Sequence, residues 1–122
     1  MKNLLEHTRR PDISFSRKGT IRITARVARV LSLRPGDAIN IAVNREEYLL
    51  HAIRHIRHIG RTEAQCYPTK QGSENYCANS ARLCRALLDS VGVVTDKAAF
   101  NVGEAFERDG TLYLPIITRN PL

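Results

Sequence analysis

The chain has 122 residues, enough for one domain with a modest core, and its 43% hydrophobic and 25% charged content is that of a globular protein rather than a disordered or fibrous one. No apolar run approaches the ~20 residues of a membrane span, and Leu4-Leu5 is too short for a signal-peptide core, so no membrane partner and a cytoplasmic address are expected. Cys66, Cys77 and Cys84 are odd in number and lack C-x-x-C spacing, which speaks against a disulfide framework.

The net charge of +7 is unevenly placed. Residues 1–61 hold thirteen Lys or Arg against five Asp or Glu, a balance of +8, while residues 62–122 hold six against seven, a balance of −1. A basic first half points to a polyanion, most often nucleic acid, because each neutralised phosphate releases counterions.

Residues 1–11 carry Arg9-Arg10-Pro11 and little apolar material, and read as a mobile arm. From Asp12 to Arg17, Ile13 and Phe15 alternate with Ser14 and Ser16, the period-two pattern of a half-buried strand. Lys18-Gly19 turns it into a second strand, Thr20 to Thr24, where Ile21 and Ile23 alternate with Arg22. The period then changes. Val27, Val30, Leu31 and Leu33 fall at helical spacing, with Arg26 and Arg29 on the opposite side and Thr24 placed as N-cap. Arg34-Pro35-Gly36-Asp37 stops the helix, since Pro does not continue it and Gly lets the chain reverse. Ala38 to Val43 and Glu47 to Ile53 are the next two strands, around the turn Asn44-Arg45-Glu46. A basic connector, Arg54 to Glu63, follows.

The segment Ser14 to Ile53 resembles the AbrB-type swapped-hairpin barrel family, whose signature runs Gly-x-Ile-x-Ile-Pro, a short helix ending in Leu, then Lys-Pro-Gly-Asp before a strand. Gly19, Ile21, Ile23, Val27, Leu31, Leu33, Pro35, Gly36, Asp37 and Ile39 stand at matching places. The chain departs from that pattern at Thr24 in place of Pro, Ser32 in place of Gly, and Arg26-Val27-Ala28 in the helix middle.

The second half can be laid on the first. Thr24-Ala25-Arg26-Val27-Ala28-Arg29-Val30-Leu31 parallels Ser80-Ala81-Arg82-Leu83-Cys84-Arg85-Ala86-Leu87. Asp96, the segment Ala98 to Phe106, the turn Glu107-Arg108-Asp109-Gly110 and the strand Thr111 to Ile117 echo the stretch after Asp37. Ala64 to Thr69 and Ser73 to Cys77, around Gln71-Gly72, stand as the first hairpin of this copy, although Pro68 and Gly72 interrupt the alternation. The expected fold is therefore mainly β with two short helices: one swapped-hairpin or double-psi-like (cradle-loop) barrel over residues 12–122. Its two related ββαββ halves are residues 12–53 and 64–117, joined by 54–63. Such a pairing leaves no sheet edge open.

The resemblance implies a bacterial-type transcription regulator that binds duplex DNA with basic side chains near the first hairpin. By position, Arg17, Lys18 and Arg22 are the foremost candidates, with Arg26, Arg29 and Arg34 completing the set and Arg9, Arg10, Arg54 and Arg57 as adjuncts. Arg forks equally well onto phosphate or onto a guanine edge. The scattered aromatics, Tyr48, Tyr67, Tyr76 and Tyr113, argue against a base-stacking platform and so for duplex DNA.

His51, His55 and His58 precede the cysteines, but their spacings do not make a paired ligand set, and no metal or other cofactor is expected. No Ser/His/Asp or Cys/His set and no glycine-rich phosphate cradle is present, so an enzyme is not expected. Two other classes stay open. One is an interaction module whose second half docks a protein partner or a second copy as a homodimer, as antitoxin-like relatives dock a toxin. The other is a double-psi enzyme, among whose relatives is a decarboxylase cleaved at Gly-Ser, a pair present here as Gly72-Ser73.

Overall fold

The computed structural model of the chain describes residues 10–54 and 63–119. The arm proper, with Arg9, and most of the connector, with His55, Arg57 and His58, lie outside the described residues.

Period-two stretches become strands wherever one face can be buried. β1 (Ile13–Ser16) and β2 (Thr20–Ile23) form the first hairpin, and Ile13, Phe15, Ile21 and Ile23 are each at most 1% exposed. After α1 (Ala25–Val30) come β3 (Ala38–Asn44) and β4 (Glu47–Ile53). The second half contributes β5 (Tyr67–Pro68), β6 (Tyr76–Asn79), α2 (Ala81–Ser90), β7 (Lys97–Val102), β8 (Phe106–Arg108) and β9 (Thr111–Ile117). β5 shrinks to two residues, because Pro68 has no N–H to give a ladder.

The strands make one curled antiparallel sheet in the order β3-β4-β9-β7-β1-β2-β6-β5, with β8 paired to β9. Its two ends meet. The stretch just before β5 pairs with the start of β3 through Ala38 and Gln65, where the N–H of Cys66 donates to the Asp37 carbonyl at 2.7 Å and that of Gly36 to the Cys66 carbonyl at 2.8 Å. Exchanging β1 with β5, β2 with β6, β3 with β7 and β4 with β9 carries each neighbour relation along that order onto one that is present, while β8–β9 has no counterpart among the described strands. β1–β2 goes to β5–β6, β3–β4 to β7–β9, and β1–β7 to the β5–β3 junction, while β2–β6 and β4–β9 go to themselves. The enclosed core holds Phe15 against Phe100, ring centroids 6.1 Å apart, together with Leu50, Leu88 and Leu114.

The helices differ from the sequence expectation in two respects. α1 buries Val27, Ala28 and Leu31, while Val30 turns outward at 37% exposure. Thr24 occupies the N-cap position, yet its hydroxyl donates to the Asp12 carbonyl at 3.0 Å rather than capping the helix; the first N–H, of Ala25, is taken by Asn75 Oδ1 at 2.8 Å. Ser80 does cap α2, its hydroxyl accepting from Leu83 N–H at 3.1 Å. α2 is four residues longer than α1, about one turn. Both helices end with the same bonds: Leu33 N–H to Ala28 O and Val93 N–H to Leu88 O, each 2.9 Å. The residue that makes this turn possible is in the left-handed region in both, Ser32 at φ 53° and Gly92 at φ 77°.

Each hairpin turn is seated on the helix of the other half. Gly19, at φ +112°, lies so close to α2 that a Cβ there would come within 2.8 Å of Ala81 N, and its carbonyl accepts from Ser80 N–H at 2.8 Å. Asn75, in the turn before β6, does the corresponding work at the start of α1.

Candidate nucleic-acid interface

Because Ile13, Phe15, Ile21 and Ile23 point inward, their neighbours point out. On the outer face of the sheet β1 shows Ser14 and Ser16, and β2 shows Thr20 and Arg22. The register puts Arg22 beside Ser14 on one flank, and Lys97 of β7 beside Ser16 on the other. β6 completes the face with Cys77 beside Arg22 and Asn79 beside Thr20. A strand with short side chains between two strands carrying longer ones makes a trough. It is a depression of about 520 Å³ lined by Ser14, Ser16, Thr20, Arg22, Lys97 and Pro11 among others. A second one, about 540 Å³, continues past Arg22 to Arg10, Thr24, Thr69 and Asn75. Among the described residues, neither is lined by an acidic side chain.

Several of the described carboxylates are engaged by arginines. Arg26 meets Asp12 at 3.2 Å, Arg29 meets Glu74 at 3.2 Å, Arg54 meets Asp37 at 2.8 Å and Arg82 meets Glu63 at 3.6 Å. Among the described residues, Lys18, Arg22, Arg34 and Lys97 have no carboxylate within ion-pair distance. The positive potential of the outer face is therefore not cancelled locally.

The six arginine and lysine positions singled out by the sequence do not form one patch. Arg22 lines both depressions. Lys18 is exposed in the turn seated on α2, and Arg34 is exposed in the turn after α1. Arg26 and Arg29 lie on α1, each with an acidic partner. Arg17 is turned into the fold: its guanidinium donates to Asp89 Oδ1 at 2.7 Å and to the carbonyls of Val93 and Thr95, and its side chain is only 28% exposed. Arg54 is likewise tied to Asp37 and to the Leu31 and Ser32 carbonyls. Arg10, an adjunct by sequence, lines the second depression.

Lys97 was missed because it lies in the acidic half of the sequence. A single lysine opening an alternating strand gives no signal until β7 is known to lie against β1. Of the four tyrosines, one joins a small cluster of rings. Tyr113 packs on Phe106 at 5.7 Å and on His51 at 5.5 Å between centroids, with Arg108 over the Phe106 ring at 5.8 Å.

Burial, with the Asp37 and Cys77 charges adding to it, pushes the Cys66 thiol up to about 12, and burial raises Cys84 as well. Both sit in the core, whereas Cys77 is half-buried on the outer face. Burial lowers His51 below the usual histidine range. Among the described residues no group of three or more His, Cys, Asp or Glu is placed to hold a metal ion, and no helix is long and apolar enough to cross a membrane. No family model matches the chain, nor does any curated protein or solved structure.

Proposed function

We propose that the protein binds duplex DNA through the outer face of β1, β2 and β7, in the manner of a small transcription regulator, and is not an enzyme. The observation that carries this reading is the Arg22 trough: cations and hydroxyls on a sheet face with no carboxylate among the described residues that line it. Phosphate oxygens are satisfied by that combination, and strands that expose such side chains are a known way of lying against a duplex. The reading extends to the fold. The exchange relation among strand pairings, and the reciprocal seating of each hairpin on the other half's helix, support a swapped-hairpin, double-psi-like barrel in which a duplicated ββαββ unit pairs with itself inside one chain.

The test is binding of the full chain to duplex DNA, measured by fluorescence anisotropy at low and moderate salt. Affinity falls steeply with salt, and Arg22→Ala with Arg10→Ala weakens binding about tenfold or more while leaving the unfolding midpoint in place. Absence of binding at low salt ends the proposal.

A second reading, docking of a protein partner or a second copy, is favoured by a wide depression of about 1140 Å³. Tyr48, Val91, Pro115 and Ile117 line it, with Ile117 45% exposed and Val43, beside its rim residue Asn44, 61% exposed. Light scattering on the purified chain separates a monomer from a homodimer.

A further inference from the structure

The trough along β1 is concave, and its floor is made of the short side chains Ser14 and Ser16. Base edges lie at the bottom of a groove about 12 Å wide and are read by elements that protrude into it. A floor of serines cannot reach them. What does fit a concave seat is the convex ridge of the sugar-phosphate backbone, whose oxygens take hydroxyl donors from below and cations from the walls. The walls come from different halves of the chain. Arg22 and Lys97 sit on the two strands flanking β1, offset by two residues, so they stand roughly 10 Å apart across the strands and roughly 7 Å along them. Both side chains are long enough to converge over the serines.

Lys97 follows a loop in which Val91 and Val93 pack on the core while Val94, nearer to Lys97, is 92% exposed. Arg17 holds that loop. Its backbone N–H donates to the Asp96 carbonyl at 2.7 Å, its Nε to the Thr95 carbonyl at 3.1 Å, and the remaining fork takes the Val93 carbonyl and Asp89. We propose that the trough between Arg22 and Lys97 is a seat for a backbone phosphate, assembled from both halves of the chain, and that Arg17 is a positioning residue which fixes the Lys97 wall without touching nucleic acid. This rests on the DNA-binding reading above and says how that face works: by phosphate contact, indifferent to base sequence.

The experiment is the slope of log affinity against log salt for the full chain on several mixed-sequence duplexes. Wild type binds them all within about threefold, and Lys97→Ala lowers the slope by about 0.9, one phosphate contact. Arg17→Lys lowers it by the same amount although the charge is kept, because lysine cannot hold three partners with a fork. The double variant Arg17→Lys, Lys97→Ala loses no more than either alone. An unchanged slope in Lys97→Ala, with wild type still binding, overturns the seat and leaves DNA binding standing. An unchanged slope in Arg17→Lys, or a doubled loss in the double variant, overturns the positioning role. A preference of about a hundredfold for one duplex overturns the backbone reading. Failure of wild type to bind at low salt is the distinct result that removes the underlying function.

Discussion

The guanidinium of Arg54, at the end of β4, reaches the carboxylate of Asp37 at 2.8 Å, and the Asp37 side chain is only 4% exposed while that of Arg54 is 55% exposed. The same fork takes the carbonyls of Leu31 at 2.8 Å and Ser32 at 2.9 Å, two acceptors that the end of α1 leaves unsatisfied. Asp37 in turn accepts the Arg34 N–H at 2.9 Å, which closes the turn before β3. One side chain thus ties a helix end, a turn and a strand end together. Arg54→Ala is expected to cost about 2 kcal/mol, less than the loss of a wholly buried pair because the arginine is half in water. Arg54→Lys recovers under half of that. Urea unfolding midpoints measure both, and a loss below about 0.5 kcal/mol in the alanine variant contradicts the role.

Ser32 holds a left-handed conformation at φ 53° where the other half has Gly92. A side chain with a Cβ costs about 1–2 kcal/mol there. Ser32→Gly is therefore expected to stabilise the fold by roughly 0.5–1 kcal/mol, net of the extra entropy of glycine in the unfolded chain. The reverse change, Gly92→Ser, destabilises by a similar amount. Equal unfolding midpoints for Ser32→Gly and wild type speak against the strain.

Gly19 has neither the conformation nor the space for a side chain, since its Cβ would stand 2.8 Å from the backbone of Ala81. Backbone on both sides cannot yield as a flexible side chain does. Gly19→Ala is expected to cost at least about 2 kcal/mol and to loosen the seating of the first hairpin on α2. Amide exchange of Ser80, whose N–H donates to the Gly19 carbonyl, reads this locally.

The Cys66 thiol is raised to about 12 by burial, from 9.0. Below the unfolded value both states hold the proton, and stability is independent of this group. Between about pH 9 and 12 the unfolded chain releases a proton that the folded chain retains, so stability falls as pH rises. Cys66→Ala is expected to flatten that part of the alkaline unfolding curve relative to wild type. Superimposable slopes in the two proteins refute the assignment. At pH 8, a thiol reagent labels the half-buried Cys77 before the buried Cys66 and Cys84.

Much of the fold is legible in the chain. Glu47–Ile53 and Thr111–Ile117 form strands over the residues that their alternation predicts. Arg34-Pro35-Gly36-Asp37 turns as read, with Gly36 at φ +93° and Asp37 capping the turn. The length of α2 is less legible, because Asp89 and Ser90 are polar residues that suit a turn as well as a helix end. The candidate site is legible only in part. Arg22 stands out by alternation, whereas Arg17 sits at a hairpin bend in the sequence and is drawn into the fold by Asp89, 72 positions away.

Periodicity, a proline and a left-handed residue act over a few positions, so the order of residues alone sets most elements of the first half and the last strand, whereas β5 to β8 begin and stop elsewhere than the alternation of the second half places them. Which arginines are neutralised and which stay open, and the place of Lys97 beside Ser16 of the first hairpin, come instead from packing between distant parts of the chain. Those outcomes depend on which strands become neighbours, and pairing between β1 and β7 joins residues more than eighty positions apart, beyond the reach of any local pattern.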